Sequence, residues 1–261
     1  MERRRVDALL AERGLSPSRT SAAASVRAGR VRVGAGGARA KKPGQLVAAD
    51  AELAVEEPPR YVSRGGIKLE NALAALGLDP AGRDCLDVGA STGGFTDCLL
   101  RHGATRVIAL DVAHGQLDWG LRNDGRVHVI ERSNARGLEP ADLPWQPSLA
   151  TVDVSFIGLS KVLPAVAACV APGGELLALV KPQFELGRER VGKGGVVRDP
   201  ADRRDAVLGV ARAARELGLA VHGFAPSGLP GPKGNLETFV WASSGGAGLA
   251  DLESAVEEAE V

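Results

Sequence analysis

The stretch that most constrains the fold runs from Asp84 to Phe95 and reads D-C-L-D-V-G-A-S-T-G-G-F. Its apolar start predicts a short buried strand, its three glycines predict a loop, and Phe95 to His102 predicts a helix. A strand, a glycine loop and a helix in this order open a doubly wound α/β domain, whose ligand binds where the loop meets the helix. The G-x-x-x-G-G spacing differs from that of dinucleotide-binding enzymes, and a lone glycine loop also fits a simple tight turn.

Further buried strands are predicted along the rest of the chain, at residues 106–111, 127–130, 149–153, 175–180, 219–225 and 236–241. They alternate with helical segments, which predicts an α/β fold with a mostly parallel, seven-stranded sheet. Asp111 follows Gly89 by 22 residues. An acidic residue at about this distance past the glycine loop is placed to accept hydrogen bonds from a ribose, so the spacing favours a nucleoside cofactor.

Charge is distributed unevenly along a chain whose formal net charge is zero. From Met1 to Lys42 there are eleven Lys and Arg residues against three acidic ones, whereas the last eleven residues hold five acidic residues and no basic one. A basic module on a neutral protein indicates contact with a polyanion, and a solvated charged face is the alternative. Aromatic residues make up only 3% of the chain, which argues against a platform for stacking bases.

The segments divide the chain into four parts. We predict a small α+β module over residues 1–57, a linker over 58–67 that begins with Pro58-Pro59, a large domain over 68–245 and an acidic tail over 246–261. The segment 185–200 holds four glycines and is predicted to be a mobile loop near the cleft.

The three cysteines are far apart and form no C-x-x-C pair, so we predict core thiols and no metal site. The charged N-terminus has no apolar signal region, and no stretch is apolar enough to span a membrane. The protein is therefore predicted to be cytoplasmic.

Two polar residues follow predicted strands directly: Asp153 and Lys181. Because ligands in such sheets bind beyond the carboxyl ends of the strands, both residues are placed beside the cofactor loop. From the residues alone, an ion pair with a purely structural role explains them almost as well. Lys68 lies near the start of a predicted helix, and from its neighbouring residues alone we predict a surface lysine.

Motifs across nearly the whole chain carry a family resemblance. The N-terminal pattern R-V-D-x-L-L-x-x-x-G-L-x-x-S-R resembles the RNA-binding module of ribosomal protein S4. The sequences D-V-G-A-S-T-G-G-F-T, D-V-S-F-I, L-V-K-P-Q-F-E and S-G-L-P-G-P-K-G-N-L-E resemble the TlyA family. That family fuses an S4-type module to an FtsJ-like methyltransferase domain that uses S-adenosylmethionine.

The resemblance implies a Rossmann-like methyltransferase fold, a site and a reaction. FtsJ-like enzymes carry a Lys-Asp-Lys-Glu tetrad, which matches Lys68, Asp153, Lys181 and Glu237. The implied cofactor-binding residues are Asp87, Gly89, Ser91, Gly93, Gly94, Phe95, Asp111, Ser133 and Asn134. The implied reaction is 2′-O-methylation of cytidine in ribosomal RNA of the small and large subunits, 30S and 50S, by a monomer.

Within this reading, Lys181 is the base or the group that orients the ribose hydroxyl. Asp153 and Glu237 would set its charge and orientation, and Lys68 would steer the ribose or a neighbouring phosphate. For contact with RNA, charge and placement single out Arg5, Arg13, Arg19, Lys42, Arg64, Arg132 and Arg136.

Three other functions compete with this one. A nicotinamide-dependent oxidoreductase would share the glycine loop and Asp111, but it would explain neither the basic module nor the tetrad. An RNA-binding protein without catalysis would use the small module alone. A hemolysin-type cytolytic protein is the third alternative, because the family also carries the name hemolysin.

Overall fold

The computed structural model describes residues 2–259, which form two compact units that divide between Pro59 and Arg60. The first unit contains two helices and five short strands: β1 (Arg3–Arg5), α1 (Val6–Glu12), α2 (Arg19–Arg27), β2 (Val31–Val33), β3 (Ala38–Arg39), β4 (Leu46–Ala48) and β5 (Leu53–Val55). β1 pairs with β4, and β2 pairs with both β3 and β5, all antiparallel. The unit is therefore the predicted small α+β module.

The apolar positions that repeat at helical spacing form the core of this unit. Val6, Leu9 and Leu10 of α1 are buried with Val26 of α2 and Val31 of β2. Ser18 caps α2 by accepting a hydrogen bond from the Ser21 amide at 3.1 Å. This side-chain acceptor satisfies one of the free amides of the first helical turn.

The second unit alternates strands and helices. Its elements are α3 (Arg64–Leu76), β6 (Asp84–Val88), α4 (Gly94–Arg101), β7 (Arg106–Leu110), α5 (Trp119–Arg122), β8 (Val127–Ile130), β9 (Leu149–Val152), α6 (Leu163–Cys169), β10 (Glu175–Val180), α7 (Pro182–Glu185), α8 (Pro200–Glu216), β11 (Ala220–Pro226), β12 (Thr238–Ser243) and α9 (Leu252–Glu258). Short 3₁₀ helices cover Ala135–Gly137, Pro140–Asp142, Leu159–Lys161 and Arg188–Arg190.

The seven strands form one sheet in the order β11-β12-β10-β9-β6-β7-β8. The neighbours from β10 to β8 are parallel, and β12 runs antiparallel to both β10 and β11. This confirms the predicted α/β class with a mostly parallel seven-stranded sheet. The chain leaves β6 toward β7 and β8 and then returns to β9 on the other side of β6. The crevice between the ends of β6 and β9 is thus the topological switch point, where such sheets bind ligands.

Several predicted boundaries differ from the structure. The predicted linker 58–67 includes the first residues of α3, which begins at Arg64 because Ser63 caps it through the Gly65 amide. In the predicted acidic tail, α9 packs Leu252 and Val256 into the core, and residues 260 and 261 lie outside the described residues. The predicted mobile loop 185–200 contains a 3₁₀ turn and a bridge between Gly192 and Val196.

Two hydrogen bonds from the buried amide of Asn235 tie this segment to the rest of the unit. Asn235 Oδ1 accepts from the Val197 amide at 2.9 Å, and Nδ2 donates to the Gly195 carbonyl at 2.8 Å. Because both partners of the amide are backbone groups of the loop, these bonds give it a defined conformation.

Gly89 is the glycine on which the crevice depends most directly. Its φ is +86°, and a Cβ at this position would lie 2.3 Å from the Asp153 carbonyl oxygen. Any side chain would therefore push the ends of β6 and β9 apart.

We expect Gly89→Ala to lower the free energy of unfolding by more than about 2 kcal/mol, because left-handed backbone costs a non-glycine residue about 1–2 kcal/mol and the Cβ clash adds to that cost. Gly82→Ala is the matched control, since Gly82 has a φ of +71° and a Cβ there would have no other atom within 4 Å. Unfolding in urea measures the free energy of unfolding of both variants and of the wild type. Equal losses would show that the close approach to Asp153 has no energetic weight.

Candidate active site

The four tetrad residues line one cavity of about 420 Å³ at the carboxyl edge of the sheet. Asp153 directly follows β9, Lys181 directly follows β10, and Lys68 lies in the second turn of α3. Glu237 immediately precedes β12, whereas the sequence placed it within the last strand. Glycine-loop residues that include Gly89, Gly94 and Phe95 line the same cavity.

The tetrad forms two separate ion pairs. Lys68 Nζ lies 2.5 Å from Glu237 Oε2, and only 8% of Lys68 and 3% of Glu237 is exposed. Lys181 Nζ lies 2.5 Å from Asp153 Oδ1 and also donates a hydrogen bond to Ser155 Oγ at 2.9 Å. Lys68 is therefore a buried ion-paired residue, and Glu237 pairs with Lys68 instead of with Lys181 as the sequence reading assumed.

The Lys181–Asp153 contact meets the distance of an ion pair but not the angles of a hydrogen bond. Asp153 Oδ1 is buried and has no hydrogen-bond partner among residues 2–259. This carboxylate oxygen therefore retains the capacity to accept a hydrogen bond beside the Lys181 ammonium group.

Asp87 is fully buried at the end of β6 and lines the floor of the same cavity. Its Oδ2 accepts from the Thr96 amide at 2.9 Å and from the Thr96 hydroxyl at 2.6 Å, while Oδ1 has no partner within the described chain. Burial raises the pKa of Asp87 to about 7, against the lowering effect of the Thr96 hydrogen bond. An unsatisfied buried acceptor of this kind indicates a site for a ligand donor.

A second cavity of about 360 Å³ lies on the other side of the glycine loop. Asp111, Ser133 and Asn134 line it together with Gly89 and Ser91. Asp111 accepts from the amides of Ser91 and Ala113, each at 2.7 Å, which fixes its carboxylate at the end of β7. Asp111, predicted to bind the ribose, and Ser133 and Asn134, predicted to lie beside the adenine, thus line the same cavity.

A side chain is excluded at Gly93 and at Gly94 for different structural reasons. Gly93 caps α4 with a φ of +95°, and a Cβ there would clash with Leu117 and Leu121, so its surroundings are apolar core. A Cβ on Gly94 would lie 2.2 Å from Ser63 Oγ, which shows how closely α3 and α4 approach. Gly93 therefore shapes the loop without lining either cavity.

The predicted RNA-binding residues lie in different surroundings. In the first unit, Arg5 and Arg19 both pair with the buried Asp7, whereas Lys42 is exposed. Arg13 donates to the carbonyls of Ala49 and Ala51, at 2.5 and 2.6 Å, so its guanidinium group stabilises the module itself.

In the second unit, Arg64 lines the tetrad cavity and donates to the Pro230 carbonyl at 2.7 Å. Arg132 and Arg136 are exposed and flank Ser133 and Asn134 in sequence. Arg64 thus lines the tetrad cavity itself, whereas Arg132 and Arg136 neighbour in sequence two residues that line the cofactor cavity.

The sequence analysis missed Phe156. Its side chain is 91% exposed, its φ is +66°, and its ring lies 5.2 Å from that of Phe184, centroid to centroid. With Lys181, Glu237 and Lys233 it lines a third cavity of about 330 Å³. Low aromatic content argued against stacking, yet a single aromatic ring in this position can stack on one base. The sequence signal that could have identified Phe156 is its position directly after the motif residues D-V-S.

Glu185, at the end of α7, is a second residue that the sequence analysis passed over. Its carboxylate accepts from the Leu159 amide at 2.9 and 3.2 Å, and no cation pairs with it in the described part of the chain. Burial raises the pKa of Glu185 to about 7.

We expect the free energy of unfolding to fall as the pH rises from 4.5, the ordinary pKa of glutamate, toward 7. In this window the unfolded chain has already released the Glu185 proton that the folded protein still binds, so stability decreases with rising pH. Glu185→Gln should flatten this part of the profile, as measured by thermal unfolding at a series of pH values. An unchanged slope would show that Glu185 titrates normally.

Comparison with known proteins identifies the family of this chain. The family model described as FtsJ-like methyltransferase matches residues 61–244, and the S4 domain model matches residues 4–53. A Mycobacterium tuberculosis protein named 16S/23S rRNA (cytidine-2′-O)-methyltransferase TlyA is 51% identical over 92% of this chain and 89% of its own length. Hemolysin A of Brachyspira hyodysenteriae is 38% identical over 89% of this chain and 97% of its own.

A solved structure also matches nearly the whole chain. It is a protein from Streptococcus thermophilus that is named as a hemolysin, and it is 41% identical with a TM-score of 0.74. The match covers 99% of this chain and 96% of that one. The chain thus belongs to the TlyA family, in which an S4 domain precedes an FtsJ-like, S-adenosylmethionine-dependent methyltransferase domain.

Proposed function

We propose that this protein methylates the 2′-hydroxyl of a cytidine in ribosomal RNA, within the 30S subunit, the 50S subunit or both. The observation that carries the proposal is the convergence of Lys68, Asp153, Lys181 and Glu237 on one cavity beside the glycine loop. The names of the relatives supply the substrate: the M. tuberculosis protein is named for cytidine in 16S and 23S rRNA.

The residues present suit S-adenosylmethionine. Asp111 would accept hydrogen bonds from the ribose hydroxyls, Ser133 and Asn134 would face the adenine, and the free Oδ1 of Asp87 would accept from the amino group of the methionine part. When bound, the cofactor supplies a methyl group already activated by the positive sulfur. The task left to the protein is to orient the ribose hydroxyl and to accept its proton.

Lys181 is placed to orient this hydroxyl. Because its ammonium group is ion-paired with Asp153 and donates to Ser155, the geometry favours an orienting donor over a free base. Asp153, which lines the same cavity and is ion-paired with Lys181, would then accept the hydroxyl proton. The Lys68–Glu237 pair lines the same cavity, and it would keep Lys68 fixed near the ribose or an adjoining phosphate.

We expect Lys181→Ala to lower turnover by about 10²–10⁴-fold, the range that a positioned proton-transfer group contributes. Affinity for S-adenosylmethionine should change far less than turnover, since Lys181 shares the tetrad cavity with Asp87 but does not line the cavity of Asp111, Ser133 and Asn134. Methyl transfer from labelled cofactor to 30S and 50S subunits measures turnover, and mapping of the product identifies the nucleotide. Lys161→Ala, an exposed lysine outside these cavities, is the control. Near-normal turnover of Lys181→Ala would remove Lys181 from the mechanism.

The charges of the S4 domain support binding to RNA phosphates. We expect Arg19→Ala and Lys42→Ala to weaken rRNA binding and each to reduce the salt dependence by about one released counterion. Arg13→Ala should lower thermal stability as well, because two backbone carbonyls lose their donor. Binding is measured by filter retention at several salt concentrations, with Arg126→Ala, whose partner is Asp124, as control. Unchanged binding in every variant would contradict the RNA surface.

The relatives named hemolysin raise a cytolytic function as a second candidate. Within residues 2–259, no helix is long and apolar enough to cross a membrane. Release of a dye from liposomes by the purified protein would support lysis.

For the methyltransferase we propose action as a monomer in the cytoplasm, where ribosomal subunits assemble. Light scattering of the purified protein tests whether it is a monomer.

A further inference from the structure

The segment from Asp153 to Gly158, here called the 153–158 loop, lines all three cavities. It carries Asp153 beside Lys181, Ser155 in contact with Lys181, and the exposed ring of Phe156. The position of this loop therefore sets how the cofactor cavity, the tetrad and the third cavity are arranged relative to one another.

The two ends of the loop are held by different means. At its start, the Asp153 amide donates to the Val88 carbonyl at 2.8 Å, as a continuation of the β6–β9 pairing. At its end, the loop runs into the 3₁₀ helix that begins at Leu159, and the residue in the capping position is Gly158, which has no side chain to cap with. Glu185, which lies 26 residues after Leu159 in sequence, caps the helix instead. Both of its carboxylate oxygens accept a hydrogen bond from the Leu159 amide.

Glu185 occupies this position at a cost. Its carboxylate is partly buried and has no cationic partner within residues 2–259, which is unfavourable for a charged group. Its Oε2 lies 3.2 Å from where a Cβ of Gly158 would be, so the carboxylate fills the space left by the missing side chain. Structural stability alone would be served as well by a neutral acceptor.

The position of Glu185 within α7 shows which parts of the site its contact with Leu159 connects. Lys181 is the N-cap of α7, Phe184 contacts Phe156, and Glu185 ends the helix. One short helix with its N-cap therefore contacts the loop at Asp153 and Ser155 and at Phe156, and it contacts Leu159 directly after the loop. The backbone at Phe156, with its positive φ, is held between these contacts.

We propose that Glu185 is a positioning residue: it clamps the end of the 153–158 loop to α7 and so keeps Asp153, Ser155 and Phe156 in place around Lys181. This inference rests on the proposed function. A displacement of about 1 Å in reacting groups can lower a rate by about 10²-fold, so a lost clamp should reduce turnover strongly.

Glu185→Ala and Glu185→Gln test the proposal in the full-length protein. The glutamine oxygen can still accept from the Leu159 amide, so Glu185→Gln should retain turnover within about threefold, whereas Glu185→Ala should lower kcat by about 10–100-fold. The KM for ribosomal subunits should change far less than kcat. Glu189→Ala, an exposed glutamate in the following turn, is the matched control and should behave as the wild type.

Hydrogen exchange without RNA gives a measurement that does not depend on catalysis. The Leu159 amide should exchange at least about tenfold faster in Glu185→Ala and near the wild-type rate in Glu185→Gln. The melting temperature of Glu185→Gln should stay near or above that of the wild type, because the charge is removed and the acceptor is kept. That of Glu185→Ala should be lower than that of Glu185→Gln, because the Leu159 amide loses its acceptor.

Three results would overturn the clamp: full turnover of Glu185→Ala, equal defects in both variants, or an unchanged Leu159 exchange rate. If the wild-type protein transferred no methyl group to either subunit, the proposed function would fail. The exchange measurement would still decide whether Glu185 holds the loop.

Discussion

The close approach of Gly89 to the Asp153 carbonyl is the constraint on which the site depends. It joins the ends of β6 and β9 at the switch point of the sheet, where one strand end contributes the cofactor loop and the other contributes a tetrad carboxylate. The absence of a side chain at position 89 allows the two backbones to approach within contact distance. Gly89 and Asp153 therefore line both the tetrad cavity and the cofactor cavity.

Around Gly89 and Asp153, charged groups form one buried pair, Lys68–Glu237, and one half-buried pair, Lys181–Asp153. Lys68 reaches Glu237 from α3, an element that precedes the sheet in sequence, and Lys181 meets Asp153 from the adjacent strand. Removing one member of such a pair would leave a buried charge without compensation, which is strongly unfavourable. The pairs thus hold the ends of four elements at fixed separations, and the same charges face the space where a ribose hydroxyl would lie. Structural and chemical roles coincide in these residues.

Two carboxylates that line the tetrad cavity have an oxygen without a hydrogen bond within the described residues. Asp153 Oδ1 is ion-paired with Lys181, whereas Asp87 Oδ1 is a buried acceptor of the kind that indicates a ligand-binding site. Phe156 adds an exposed aromatic ring on a left-handed backbone, a combination that costs free energy in the isolated protein. These features lie at the carboxyl edge of the sheet, whereas the two apolar clusters of this unit consist of buried residues on the strands and the helices.

The order of strands and helices, the glycine loop, the position of Asp111 and the two-module organisation could be predicted from the sequence, because periodicity, glycine spacing and charge are local properties. The family motifs also picked out the four tetrad residues. Tertiary packing set which lysine pairs with which carboxylate, because Lys68 and Glu237 are 169 residues apart and meet only where α3 packs against the sheet. It likewise turned Arg13 inward and exposed Phe156. It also brought Glu185 to Leu159, since side-chain direction and long-range contacts are set by the packed fold and have no local signature.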